Sequence, residues 1–142
     1  MFTLLRPCKR EINQHFGENP QNYLRYGFAG HEGVDFLCPP GDPVHACADG
    51  TVIEVVNQGN YGLHIRLEST LDGWHVTTIY CHLSQAFVWK GKSVKAGELI
   101  ALSGDTGHSG GPHLHLTCEV QGMSTVGYPD NIVDPEPFFV KA

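Results

Sequence analysis

The chain has 142 residues, 17 of them glycine and nine histidine, and a formal net charge of −6. At this length one domain with a sizeable hydrophobic core is expected. The acidic balance argues against a nucleic-acid or anionic-membrane surface, and no apolar run approaches a membrane span.

Met1 to Pro7 lacks a long apolar region and a cleavage site, so the start reads as carrying no signal peptide and the protein as cytoplasmic at synthesis. His31-Glu32-Gly33-Val34-Asp35 follows, then a loop at Pro39-Pro40-Gly41. β-Branched Thr51 to Val56 lies between Asp49-Gly50 and Asn57-Gln58-Gly59, and Leu63 to Leu67 alternates apolar and polar; both are read as strands. Trp74 to Leu83 is read as one strand, Gln85 to Trp89 as the one place for a helical turn, and Leu99 to Leu102 as a short strand. Gly104 to Pro112 is a loop by composition, Leu114 to Val120 a long strand, and Tyr128 to Pro137 a proline-rich tail that wraps the body in extended form. No window carries a helical stripe of three turns. Strands joined by tight turns imply a mainly β, antiparallel architecture.

The five cysteines, Cys8, Cys38, Cys47, Cys81 and Cys118, form no Cys-x-x-Cys pair. An odd count without a signal peptide is read as reduced thiols packed as small hydrophobes. Strand parity turns Cys81 away from His82 and Cys118 away from His115, so neither thiol is a natural ligand beside these imidazoles.

The chemistry concentrates in His113-Leu114-His115, His31-x-x-x-Asp35 and His82. Residues i and i+2 of a strand share a face, so His113 and His115 stand side by side. A catalytic zinc takes three protein ligands, commonly imidazole and carboxylate, and keeps one position open. His31, Asp35 and one imidazole of the His113/His115 pair supply such a set; spacing alone does not choose between the two. On a regular strand His31 and Asp35 would lie about 13 Å apart, so a kink at or near Gly33 is expected. His31-Glu32 begins like the helical His-Glu-x-x-His motif, but the second histidine is missing, and Gly33 with Pro39-Pro40 disfavours a helix. Glu32 is therefore read as solvent-exposed. Proton handling falls to imidazoles that are not ligands, with His82 and a member of the pair as candidates. His15, His45 and His64 are read as surface or packing residues. His75 and His108 are read likewise, except that each lies near enough to a motif to line a substrate groove.

These motifs resemble the lysostaphin/LytM-type zinc endopeptidases that cut bacterial peptidoglycan. The match runs in order through His31-x-Gly33-x-Asp35, Pro40-Gly41-Asp42-Pro43-Val44, Ala48-Asp49-Gly50-Thr51-Val52, Tyr61-Gly62, Tyr80-x-His82-Leu83, Ser103-Gly104-Asp105-Thr106-Gly107 and Gly110 to His115. The resemblance implies an antiparallel β fold with an open groove, a barrel-sandwich-hybrid with a duplicated hybrid motif. It implies one peptidase domain over 1–142: an N-terminal extension 1–25, a family core 26–120 and a C-terminal wrap 121–142. It assigns His31, Asp35 and His115 as ligands of one Zn²⁺ per chain, His82 and His113 as catalytic histidines, and Tyr61, His75 and His108 as substrate contacts. The implied partner is peptidoglycan, cut at crosslinks or stem peptides. The loops Tyr61–Gly62, Asp72–Trp74 and Gly107–Gly110 are expected to set which bond is cut.

The chain departs from the common pattern where Leu116-Thr117-Cys118-Glu119 replaces the frequent phenylalanine and glutamate. The signal-less form points to a phage-type wall hydrolase, released at lysis or carried on the virion, acting as a monomer or within a larger virion assembly. Two alternatives stand beside it. One is a non-catalytic wall-binding or activating member of the same family, against which the full set of site residues argues. The other is a carrier domain, suggested by Val44-x-Ala46-x-x-x-Gly50-x-Val52 and Val94 to Ile100. The acceptor lysine of a lipoyl or biotinyl domain is absent, and a phosphocarrier has no need of His31 with Asp35.

Overall fold

The computed structural model describes residues 1–141. Eleven strands form among them: β1 (Ile12–Gln14), β2 (Val34–Phe36), β3 (Pro43–His45), β4 (Gly50–Asn57), β5 (Leu63–Leu71), β6 (Trp74–Cys81), β7 (Leu83–Ala86), β8 (Ser93–Val94), β9 (Leu99–Ser103), β10 (Leu114–Val120) and β11 (Ile132–Val133). The large sheet runs β1-β2-β10-β6-β5-β4-β8, with β11 paired to β10; a smaller sheet runs β3-β9-β7. The strand pairs within both sheets are antiparallel. The mainly β fold expected from turn density is what the chain adopts.

The β5–β6 hairpin shows how local sequence sets register. Asp72 and Gly73 form its two-residue loop, and both have positive φ, 51° and 81°. That is the mirror-image turn whose twist matches the flanking strands, and Asp-Gly is a preferred pair for it. It places Leu71 opposite Trp74 and hence Ile65 opposite Tyr80.

Alternation then divides the large sheet. Val34, Phe36, Ile65, Leu67, Leu114, Leu116 and Val120 turn to a single buried cluster that also takes Val44, Leu83 and Ile100 from the small sheet. The residues between them, Asp35, His64, Arg66 and His115, face a groove. A period of two thus gives one sheet an apolar face and a face lined with titratable groups.

Two expectations change. The strand from Trp74 to Leu83 is broken at His82, whose φ is +62°; the chain there leaves the large sheet as β6 and enters the small one as β7. Gln85–Trp89 holds no helical turn, because Gln85 and Ala86 pair with β9. Single 3-10 turns occur instead at Pro20–Asn22, Leu24–Tyr26 and Glu136–Phe138. The segment before residue 26 is integral to the body: Phe2, Leu4 and Cys8 are in the core, and β1 pairs with β2. The tail joins it where Leu4 bridges Phe139 and Phe2 stacks on Phe138 with ring centroids 4.5 Å apart.

Candidate active site

His31, Asp35 and His115 converge although 84 residues separate the two imidazoles. Asp35 lies on β2 directly opposite His115 on β10. His31 lies outside the strand, and the chain between His31 and Val34 bends as expected. Gly33 permits this: a Cβ there would lie 2.2 Å from the Leu116 carbonyl oxygen and 2.9 Å from the His115 ring. A side chain has no room where β10 presses on the bend.

The donor atoms form a tight triangle. His115 Nδ1 is 2.9 Å from Asp35 Oδ1, His31 Nε2 is 3.2 Å from the same oxygen, and the two nitrogens are 3.1 Å apart. Donors around a tetrahedral zinc at about 2.0–2.1 Å would be spaced about 3.4 Å apart, so a small outward relaxation admits the ion. All three residues are buried. Burial alone would raise the Asp35 carboxyl, but the hydrogen bonds to His115 and His31 prevail and hold it well below the usual carboxylate range. Burial works to lower His115, and Asp35 overcomes it and raises the imidazole. Two imidazoles and one carboxylate with converging lone pairs suit a divalent cation of zinc type.

Each ring's far nitrogen has an anchor. His31 Nδ1 donates to the His15 carbonyl at 3.3 Å, and His115 Nε2 lies 2.7 Å from Thr117 Oγ1. His82 and His113 stand beside the triangle with ring centroids 4.7 Å apart. His82 Nδ1 donates to the Thr106 carbonyl at 2.7 Å, and His113 Nδ1 to the Gly111 carbonyl at 2.8 Å. Both therefore carry the proton on Nδ1 and leave Nε2 as an acceptor. His113 Nε2 lies 3.6 Å from Asp35 Oδ2. Burial pushes the His82 imidazole down to about 4.

The triangle lies in a groove of ≈ 1390 Å³. One wall is the stretch from Asn13 to Phe28, and the other combines the 58–61 loop with the polar face of β4 and β5. Tyr61 and His108 line it, and the Tyr61 ring stacks on His115. His75 lies elsewhere. It lines a separate cavity with Glu68, Thr77 and Glu119, and none of the β6 residues lines the groove. The Asp72–Trp74 turn is likewise absent from the groove lining. Glu32 is only 9% exposed rather than solvated, since the bend at Gly33 carries it under β10. Gln14 and Tyr23 were not foreseen: Gln14 Nε2 donates to Asp35 Oδ2 at 3.3 Å and to Tyr23 OH at 2.8 Å. Nor was the placement of His64 and Arg66, which share Glu54 on the opposite wall. For His64 and Arg66 the alternation of Leu63 to Leu67 was the available signal. For Gln14 and Tyr23 the sequence carried none.

Residues 29–126 match peptidase family M23. The chain is 35% identical over 124 residues to the peptidoglycan DD-endopeptidase ShyA of Vibrio cholerae, covering 87% of this chain and 28% of that protein. It is 41% identical over 114 residues to the glycyl-glycine endopeptidase ALE-1 of Staphylococcus capitis, covering 79% of this chain and 30% of that protein. The chain thus spans 24–30% of the length of curated relatives it matches. The solved catalytic domain of the antimicrobial peptidase lysostaphin from Staphylococcus simulans superposes with a TM-score of 0.72 at 35% identity over 91% of both chains. Fold, motif order and sequence agree: the chain belongs to peptidase family M23.

Proposed function

We propose that the protein is a zinc metalloendopeptidase that hydrolyses peptide bonds in bacterial peptidoglycan, with His31, Asp35 and His115 as ligands. The observation that carries this reading is the three-donor triangle at the floor of an open polar groove, flanked by two imidazoles whose Nε2 atoms are free to accept a proton. Zinc held by three residues would supply a Lewis acid that polarises a scissile carbonyl and acidifies a water.

The other tasks belong to the chain's own groups. An extended peptide lies along the groove, its amides met by Asn13 and Asn22 on one wall and Gln58 and Asn60 on the other. His82 and His113 handle protons: one Nε2 takes a proton from the attacking water, and the resulting imidazolium returns it to the departing amine. Their Nδ1 bonds to backbone carbonyls hold the rings in that tautomer and stabilise the cation as it forms. Two relatives named for cutting peptidoglycan DD and glycyl-glycine bonds support the substrate class.

Purified walls of both crosslink types, incubated with zinc-loaded protein, test the reading by mass analysis of the released fragments. Soluble crosslink fragments are expected from one wall type, and unchanged walls of both types would overturn it. His115→Ala is expected to lose zinc and activity together, whereas His113→Ala keeps zinc and loses at least a hundredfold in turnover.

A further inference from the structure

One buried carboxylate at the site has no task in this mechanism. Glu32 lines the groove, and among the described residues its side chain has no hydrogen-bond partner. Its Oε1 lies 3.6 Å from His115 Nε2, on the edge of the ring remote from Asp35. That edge also meets Thr117 Oγ1 at 2.7 Å, and the Tyr61 hydroxyl lies 3.3 Å from the same oxygen.

The four imidazoles of the site are anchored in two different ways. His31, His82 and His113 each bond a backbone carbonyl through Nδ1, an acceptor that no side-chain substitution removes. His115 is reversed. Its Nδ1 faces Asp35 and His31, so with a cation held by Nδ1 the remaining proton would reside on Nε2, where only side chains meet it. A hydroxyl accepts the Nε2–H but can equally donate, and so does not by itself select the tautomer. A carboxylate only accepts, and its charge beside a buried N–H favours the tautomer with the proton there.

From this geometry we infer that Glu32 is a positioning residue that acts with Thr117 to hold His115 with its Nδ1 lone pair aimed at the cation site, and so tightens metal binding. The inference rests on the reading of His115 as a ligand. The bend at Gly33, which brings the backbone against Leu116, is what places Glu32 beneath this edge.

Zinc dissociation constants measured by competition with a chromophoric chelator at fixed pH provide the test, together with kcat and KM on a crosslinked muropeptide at saturating zinc. Glu32→Gln keeps the shape and removes the charge. It is expected to weaken zinc binding 10- to 100-fold, with KM within twofold of wild type and the metal-free melting temperature unchanged. Glu32→Asp, with a shorter carboxylate, is expected to recover part of the loss. Wild-type zinc affinity in Glu32→Gln, while His115→Ala no longer binds zinc, would overturn the inference and leave the site reading standing. Retention of zinc by His115→Ala would instead overturn the site reading itself. A rise in KM alone would make Glu32 a substrate contact and also overturn the inference. Should Glu32→Gln fail to fold, Thr117→Val attacks the same edge and is held to the same tenfold criterion.

Discussion

His82 Nδ1 donates to the Thr106 carbonyl at 2.7 Å from a backbone held at φ +62°. A β-carbon is disfavoured in this region, and the conformation persists because neighbours over-determine it. The His82 amide donates to the Tyr61 carbonyl at 2.8 Å, and the Thr106 loop is tied to the same wall by the Leu63 amide at 3.1 Å from Thr106 Oγ1. Strain at one residue thus aims an imidazole across the groove at the point where the chain changes sheets.

The strain predicts an inverted order of stability. His82→Gly should be more stable than His82→Ala by about 1 kcal/mol, because glycine enters the left-handed region without penalty. Urea unfolding of the two metal-free variants checks this; equal stabilities would show that the backbone there is unstrained. Both variants should lose activity on peptidoglycan.

A second prediction concerns acid. Unfolded His82 binds its proton near 6.5, whereas the folded residue, disfavoured as a cation by burial, binds it only near 4. Between these values the unfolded state holds more protons, so stability rises with pH. The contribution is complete above 6.5 and is lost as pH falls through 4; a fall of this size is worth about 3 kcal/mol. Melting curves of the metal-free protein between pH 4 and 7 should therefore be steeper in pH for wild type than for His82→Gln.

Gly33→Ala should be severe. Its β-carbon would fall 2.2 Å from the Leu116 carbonyl oxygen, backbone that cannot rotate away. Relieving the overlap means separating the bend from β10, at about 2–4 kcal/mol and with the loss of high-affinity zinc. Gly110→Ala, where nothing lies within 4 Å, is the control and should stay within about 0.5 kcal/mol of wild type. Denaturant midpoints and bound zinc per chain report both effects.

Tyr80→Phe should separate stability from chemistry. The Tyr80 hydroxyl accepts from the Cys47 amide at 2.9 Å and meets Thr78 Oγ1 at 2.8 Å, fully buried on the core face. Removing it orphans a buried N–H at about 1–3 kcal/mol. A lower denaturation midpoint with unchanged turnover of the zinc-loaded protein is the expected result. A loss of turnover would tie this core position to the groove.

Local chemistry determined a good deal of this protein in advance. β-Branched runs, alternation and glycine-rich turns were enough for the antiparallel strands, and the Asp72-Gly73 turn specified a register. Parity alone put His113 and His115 on one face, and the mismatch between a regular strand and the spacing of His31 and Asp35 called for the bend that Gly33 permits. Parity carried no such information about groups whose neighbours are distant in sequence. His75 sits in a regular strand like His115, yet it lines a different cavity, because a strand's period says which face a residue takes and not how far along the sheet the groove extends. Glu32 was read as solvated and is buried, because its surroundings come from β10, far downstream in sequence. The break at His82 was invisible for the same reason: a chain crossing from one sheet to the other is driven by pairing with β9 and β10, interactions that exist only once the two sheets have met.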